Sequence, residues 1–276
     1  NYLTGIFGPT MWVYPLFFIL ESLSLYFYYY MWDRLQGDKK WIHLLIGLSL
    51  NIWGTIVMFI ANAWASFMMS PGGVDKSGEL QSLWGAVSNM TWWPLNLHRL
   101  VANVTFGAFL CSAYAAYRYL GTKEAREKAY YDWMGYTGNL VGLFTMLFLP
   151  FLGYYLAYEI YAFSPQMGVT MMGGVLSWLF VIQAIVIAAM FMAAAYYSWL
   201  GLSRIPGSEP YRRWVPAFNA ILIVGFAVWA TPHTMAATPE EATGGFHPVL
   251  SSLGLMAPKM AAVSLILLVL YVSYLF

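Results

Sequence analysis

Seven stretches of this 276-residue chain are each long and apolar enough to cross a bilayer, which leaves little room for any other architecture. A helix needs about 20 apolar residues to traverse the hydrocarbon core. Runs of that kind fall at about 10–32, 41–67, 94–117, 131–162, 169–201, 215–232 and 250–276. None alternates with period two, as a barrel strand would. The expectation is an all-α integral membrane bundle of seven transmembrane helices, forming one domain over residues 1–276. Charged residues make up 9% of the chain, against about 25% in a soluble domain, so lipid rather than water must cover the apolar surface. No basic stripe is present to hold nucleic acid. The first residues lack the basic start and cleavage site of a signal peptide. The lone cysteine, Cys111, lies in an apolar run and supplies neither a disulfide framework nor a CxxCH attachment, so any haem is held non-covalently.

The loops set an orientation. Arg34, Lys39 and Lys40, then Arg118, Lys123, Arg126 and Lys128, then Arg204, Arg212 and Arg213 place ten of the thirteen basic residues on one side. Lys76 and Lys259 fall on the other, and Arg99 lies within the third helix. The positive-inside rule makes the basic side cytoplasmic, with the N-terminus outside and the C-terminus inside. The outer loops, 68–93 and 233–249, are rich in Gly, Pro, Ser and Trp. Trp84, Trp92 and Trp93 fit an interfacial aromatic belt. No inverted repeat is visible, which argues against a secondary transporter.

Ionisable groups at membrane depth are costly, so each demands an account. They are Glu21, His98, Arg99 and Glu159, with Asn51, Asn103, Asn139, Gln183 and Asn219 as neutral companions, while His43 and His233 sit at helix ends. His98 lies about one turn inside the outer end of its helix. A neutral imidazole is a common non-covalent ligand of haem iron, and Arg99 beside it suits a haem propionate. Ala102, Thr105 and Ala108 leave room for a flat ring on that helix. The competing account is an interfacial histidine bonded to a loop carbonyl. Gly135, Gly138 and Gly142 form a small-residue stripe suited to close helix packing. Met167, Met171, Met172, Met190 and Met192 cluster near the fifth helix, where a thioether is either packing or a second axial ligand. Glu21 has no cation nearby in sequence. It is either a proton relay or quinone partner, or one end of an interhelical hydrogen bond.

These residues resemble a family. Phe17-Phe18-Ile19-Leu20-Glu21-Ser22, followed by Met31-Trp32-Asp33-Arg34-Leu35, is similar to the FFLES helix and WDRL turn of the large subunit of cytochrome bd quinol oxidases. Ile60-Ala61-Asn62-Ala63-Trp64 with Met68 to Pro71 resembles that family's VANGWMQNP. Leu97-His98-Arg99-Leu100 falls where the family has the histidine of its low-spin haem b, and Gly153 to Glu159 resembles its GDESGYE. The matches run over about residues 5–160; beyond 165 only helix count agrees.

The departures matter as well. The family's two leading helices, with the high-spin haem histidine, have no counterpart in these residues. Trp12-Val13-Tyr14 stands where a second glutamate is expected, the quinol-binding loop is reduced to 163–169, and Ala230-Thr231-Pro232-His233-Thr234 replaces GRQPW. The resemblance therefore implies a bd-like subunit that binds one haem b through His98 and passes electrons, quinone-linked, within a larger respiratory complex. It does not imply an oxygen reductase by itself. Met172, Met171 or His233 is the second ligand, or Gln183 by alignment. Other membrane subunits, one of them supplying the two leading helices, and an outer-face redox protein or quinone are the implied partners. The implied location is a bacterial or archaeal cytoplasmic membrane. A haem-free anchor and a proton-conducting subunit using Glu21 and Glu159 are the rival readings.

Overall fold

The computed structural model describes residues 2–167, 177–204, 206–230 and 256–275, and the regular structure there is helical. In chain order the α-helices are α1 (Tyr2–Tyr30), α2 (Lys40–Met69), α3 (Leu83–Val87), α4 (Trp92–Gly121) and α5 (Ala125–Met146). Then come α6 (Leu149–Phe163), α7 (Ser177–Arg204), α8 (Val215–Ala230) and α9 (Met256–Leu275). Apolar surroundings favour helices because the segment satisfies its own backbone. Five segments among the described residues are long and apolar enough to span a membrane: Tyr2–Tyr30, Gly37–Met69, Trp92–Gly121, Ala125–Phe163 and Glu209–Ala230. The fifth and seventh expected spans appear there only as the shorter apolar stretches Val181–Ala193 and Lys259–Leu275. The expected count of seven is thus not reached among the described residues.

Two boundaries differ from the sequence expectation for identifiable reasons. The first helix starts at Tyr2 rather than near residue 10, with Pro9 and Pro15 inside it. A proline removes one backbone hydrogen bond, but Ile6 and Phe7 are buried against Ala63, Phe67, Ala86 and Trp92, and this packing carries the helix past Pro9. The fourth expected span, 131–162, is two helices with a break at Leu147 and Phe148, closed by short bonds to Phe144 and Thr145 carbonyls. Pro150, at the start of α6, has no N–H to continue the ladder.

The packing resolves into two units, Asn1–Leu97 and His98–Phe276, divided within α4. In the first, α1 and α2 run antiparallel, joined by a short 3₁₀ turn at Gly37–Lys39. Aromatic pairs line their seam, including Tyr14 with Trp64 and Phe17 with Trp53. Asn62 and Ser66 of α2 and Ser70 just past its end, at four-residue spacing, are buried. The Asn62 amide donates to Asn96 at 2.7 Å, and Asn89 donates to the Ser66 hydroxyl at 2.9 Å. Ser70 and Thr91 share a bond of 2.7 Å. These bonds tie the 70–91 loop to the end of α2.

In the same loop the Asp75 carboxylate accepts from the Ser77 hydroxyl at 2.6 Å and from the N–H groups of Ser77 and Glu79. The Ser77 hydroxyl first, then the Glu79 N–H, hold this carboxyl below its usual 3.8. A lowered folded pKa means stability that is complete above the unfolded value and lost as pH falls through the folded one. Below pH 3.8 the turn therefore stays closed until Asp75 protonates. The Ser77 and Glu79 amide resonances should report a midpoint lower than that of the isolated loop peptide; an equal midpoint would contradict the contacts.

In the second unit α9 is central, packing on α5, α6, α7 and α8. Its Val263, Ile266, Leu267 and Leu270 join Leu143, Ile187 and Leu222 in a buried core. Alongside, α4 lies on α5 through the expected glycine stripe. A side chain at Gly135 would touch Ala115, one at Gly138 would collide with Ser112 and the Ala108 carbonyl, and one at Gly142 would meet the Phe109 ring. The stripe serves packing.

Candidate functional site

His98 stands in the second turn of α4. It is half-buried, and its Nδ1 is buried with no hydrogen-bond partner among the described residues. The reason lies on α6: a Cβ at Gly153 would sit 3.5 Å from the ring's Cε1 and 3.7 Å from Nδ1. The imidazole edge thus rests on bare helix backbone, whose own groups are engaged within the helix. With that edge covered by α6, the ring nitrogen left for the metal of a prosthetic group is Nε2. In that respect the residues present fit an axial haem ligand. Arg99, next along the helix, is exposed.

The room expected beside His98 is partly taken. Thr105 is buried and shares a 2.9 Å hydrogen bond with Thr145, and the Ala108 carbonyl faces Gly138, so α5 fills that part of the surface. Gln183 is exposed on α7. Met171, Met172 and His233 lie outside the described residues. Glu159 is half-buried on α6, six residues beyond Gly153, or about 9 Å along the axis. Glu21 belongs to the first unit, where its Oε1 would be 2.8 Å from a Cβ at Gly54 of α2. The carboxyl therefore lies on bare backbone too, and among the described residues no Ser or Asn bonds to it.

Two features escaped the sequence reading. His43 is buried with both ring nitrogens unpartnered among the described residues, its ring stacked 4.2 Å from Tyr28 and edge-on to Trp32 at 4.9 Å. The buried polar cluster around Asn62 and Asn96 was signalled only by the four-residue spacing of Asn62, Ser66 and Ser70.

Long apolar helices, one of them carrying an intramembrane imidazole, define a multi-pass membrane protein. Its sequence is matched over residues 1–177 by the family model described as cytochrome bd terminal oxidase subunit I. The chain belongs to that family. The match takes in Glu21, His98, Arg99, Glu159, Met171 and Met172, and stops before Gln183 and His233. No curated protein and no solved structure matches the chain.

Proposed function

We propose that the chain is a membrane cytochrome subunit that binds haem b through His98 and transfers electrons, quinone-linked, within a larger respiratory complex. The observation that carries this reading is the imidazole of His98, held by its Nδ1 edge against Gly153 with Nε2 left for iron, inside the stretch matched by the family. A bound haem supplies a one-electron iron couple. The chain's own part is to hold the imidazole oriented on α6, with Arg99 adjacent as a cation for a carboxylate substituent. Met171, Met172, His233 and Gln183 remain the candidates for a second haem ligand. Glu21 and Glu159 are the carboxyls at membrane depth available to a proton or a quinone. A pyridine haemochrome spectrum of the purified complex tests the reading; a spectrum without haem would favour an anchoring role.

The proposed orientation puts the N-terminus outside, with the segments at 33–40, 118–130 and 203–214 in the cytoplasm of a bacterium or archaeon. In a Cys111→Ala background, a membrane-impermeant maleimide applied to intact cells should label Val74→Cys and spare Gly37→Cys. Labelling of Gly37→Cys alone would reverse the orientation.

A further inference from the structure

A groove of about 420 Å³ runs along the exposed flank of the α8–α9 pair, within the second unit. Gly225 of α8 and Ala262 of α9 are buried and form its floor, while Ile221, Val224, Val228 and Leu265 stand exposed along its sides. The glycine explains the depth. A Cβ at Gly225 would come 3.3 Å from Ile266 Cγ1 and 3.4 Å from the Ala262 carbonyl, so the two helices approach closely there and the larger side chains flank the contact. No polar side chain of the described residues lines the groove.

Length and lining decide what can lie in it. From Ala220 to Val228 the groove follows eight residues of α8, about 12 Å. A partner's transmembrane helix would press along much of the roughly 30 Å hydrocarbon core, and this groove offers less than half of that. An extended aliphatic chain needs only a narrow apolar trough, and it brings no polar group that would be left unpaired. The volume falls within the roughly 300–1,000 Å³ of sites that hold small ligands.

What the chain is attached to follows from the residue at the end of the trough. Lys259 stands three residues before Ala262, one turn nearer the start of α9 and on the same side of the helix. Helical side chains lean toward the N-terminus, so its ammonium extends away from the groove. With 20 residues α9 is about 30 Å long, which sets its first turn at the hydrocarbon boundary. That turn holds no acidic residue, and Lys259 makes no hydrogen bond or ion pair among the described residues. The positive end of the helix dipole adds to the same field. A cation at headgroup level above an apolar trough complements an amphiphile with an anionic head.

We infer that the α8–α9 groove binds one phospholipid of net negative headgroup, its phosphate on Lys259 and one acyl chain over Gly225 and Ala262. The site lies beyond residue 177, outside the stretch that the family model matches, and it does not depend on the haem reading.

The test uses the full chain in its complex, in nanodiscs doped with phosphatidylglycerol or phosphatidylcholine carrying the same diazirine-tagged acyl chain. Mass spectrometry maps the adducts after illumination. Adducts on groove residues of α8 and α9 should be about fivefold more abundant with phosphatidylglycerol, the effect of one cation near the membrane surface. Lys259→Gln should lower that labelling to the phosphatidylcholine level, and Lys259→Arg should preserve the difference. Ala220→Phe, which fills the trough from an exposed position, should abolish groove labelling by both lipids. Equal labelling by the two lipids in the unaltered chain would overturn the proposal. So would a preference that survives Lys259→Gln, labelling that survives Ala220→Phe, or a groove that neither lipid labels because another subunit covers it.

Discussion

Replacing His98 with alanine is expected to abolish the haem b absorption band while helical circular dichroism stays at the wild-type level. The axial bond is the main anchor of a non-covalent haem, so the expected loss is of the whole band. The fold should survive. His98 is only half-buried and packs on backbone, so truncation leaves a gap worth about 1–3 kcal/mol. Gly153 separates ligation from packing. A Cβ there finds the ring at 3.5 Å, ordinary contact, so Gly153→Ala should keep the band. Gly153→Leu should displace the ring and lose it. A His98→Ala protein with an unaltered band would show that another residue holds the haem.

The second large effect is expected at Gly73, in the loop after α2. Its φ of +66° lies in the left-handed region, and a Cβ would come within 2.5 Å of the Ala86 N and 2.7 Å of the Gly85 carbonyl carbon. Both neighbours are backbone, so neither can swing away. Gly73→Ala should cost the loop about 2–4 kcal/mol from conformational strain and overpacking together. Gly37→Ala is the control: its φ is +61°, but nothing lies within 4 Å, so it carries only the conformational part, about 1 kcal/mol. The readout is hydrogen exchange at Gln81 and Ser82, whose N–H groups both donate to the Gly73 carbonyl. Equal protection in the two variants would mean that the loop is not packed as described.

The membrane class and the positions of the first helices were legible because a run of apolar residues is a local property. The Gly135, Gly138 and Gly142 stripe was legible for the same reason, since its period announces a packing face. The break at Leu147 and Phe148 was not, because the run stays apolar through it and only Pro150 marks it. His98 was legible as a candidate ligand, but the burial of its Nδ1 was not. That property depends on Gly153, 55 positions later, being glycine, and no local pattern reports it. The space expected beside Thr105 and Ala108 failed similarly: small residues make room, but whether a ring or a helix takes it depends on the neighbour, and there α5 does.

The contact of α4 with α5 also sets how this pair of helices can change over generations. A methyl group added at Gly135 meets Ala115 at 3.5 Å and is accepted; one added at Gly138 meets the Ala108 carbonyl at 2.9 Å and is not. At Gly142 the neighbour is a phenylalanine ring at 3.1 Å, which yields only if Phe109 rotates. Three glycines that look alike in the sequence thus differ in the drift they permit. The first is free to become alanine, the last needs a second change on α4, and the middle one has no permissive partner because its obstacle is the main chain.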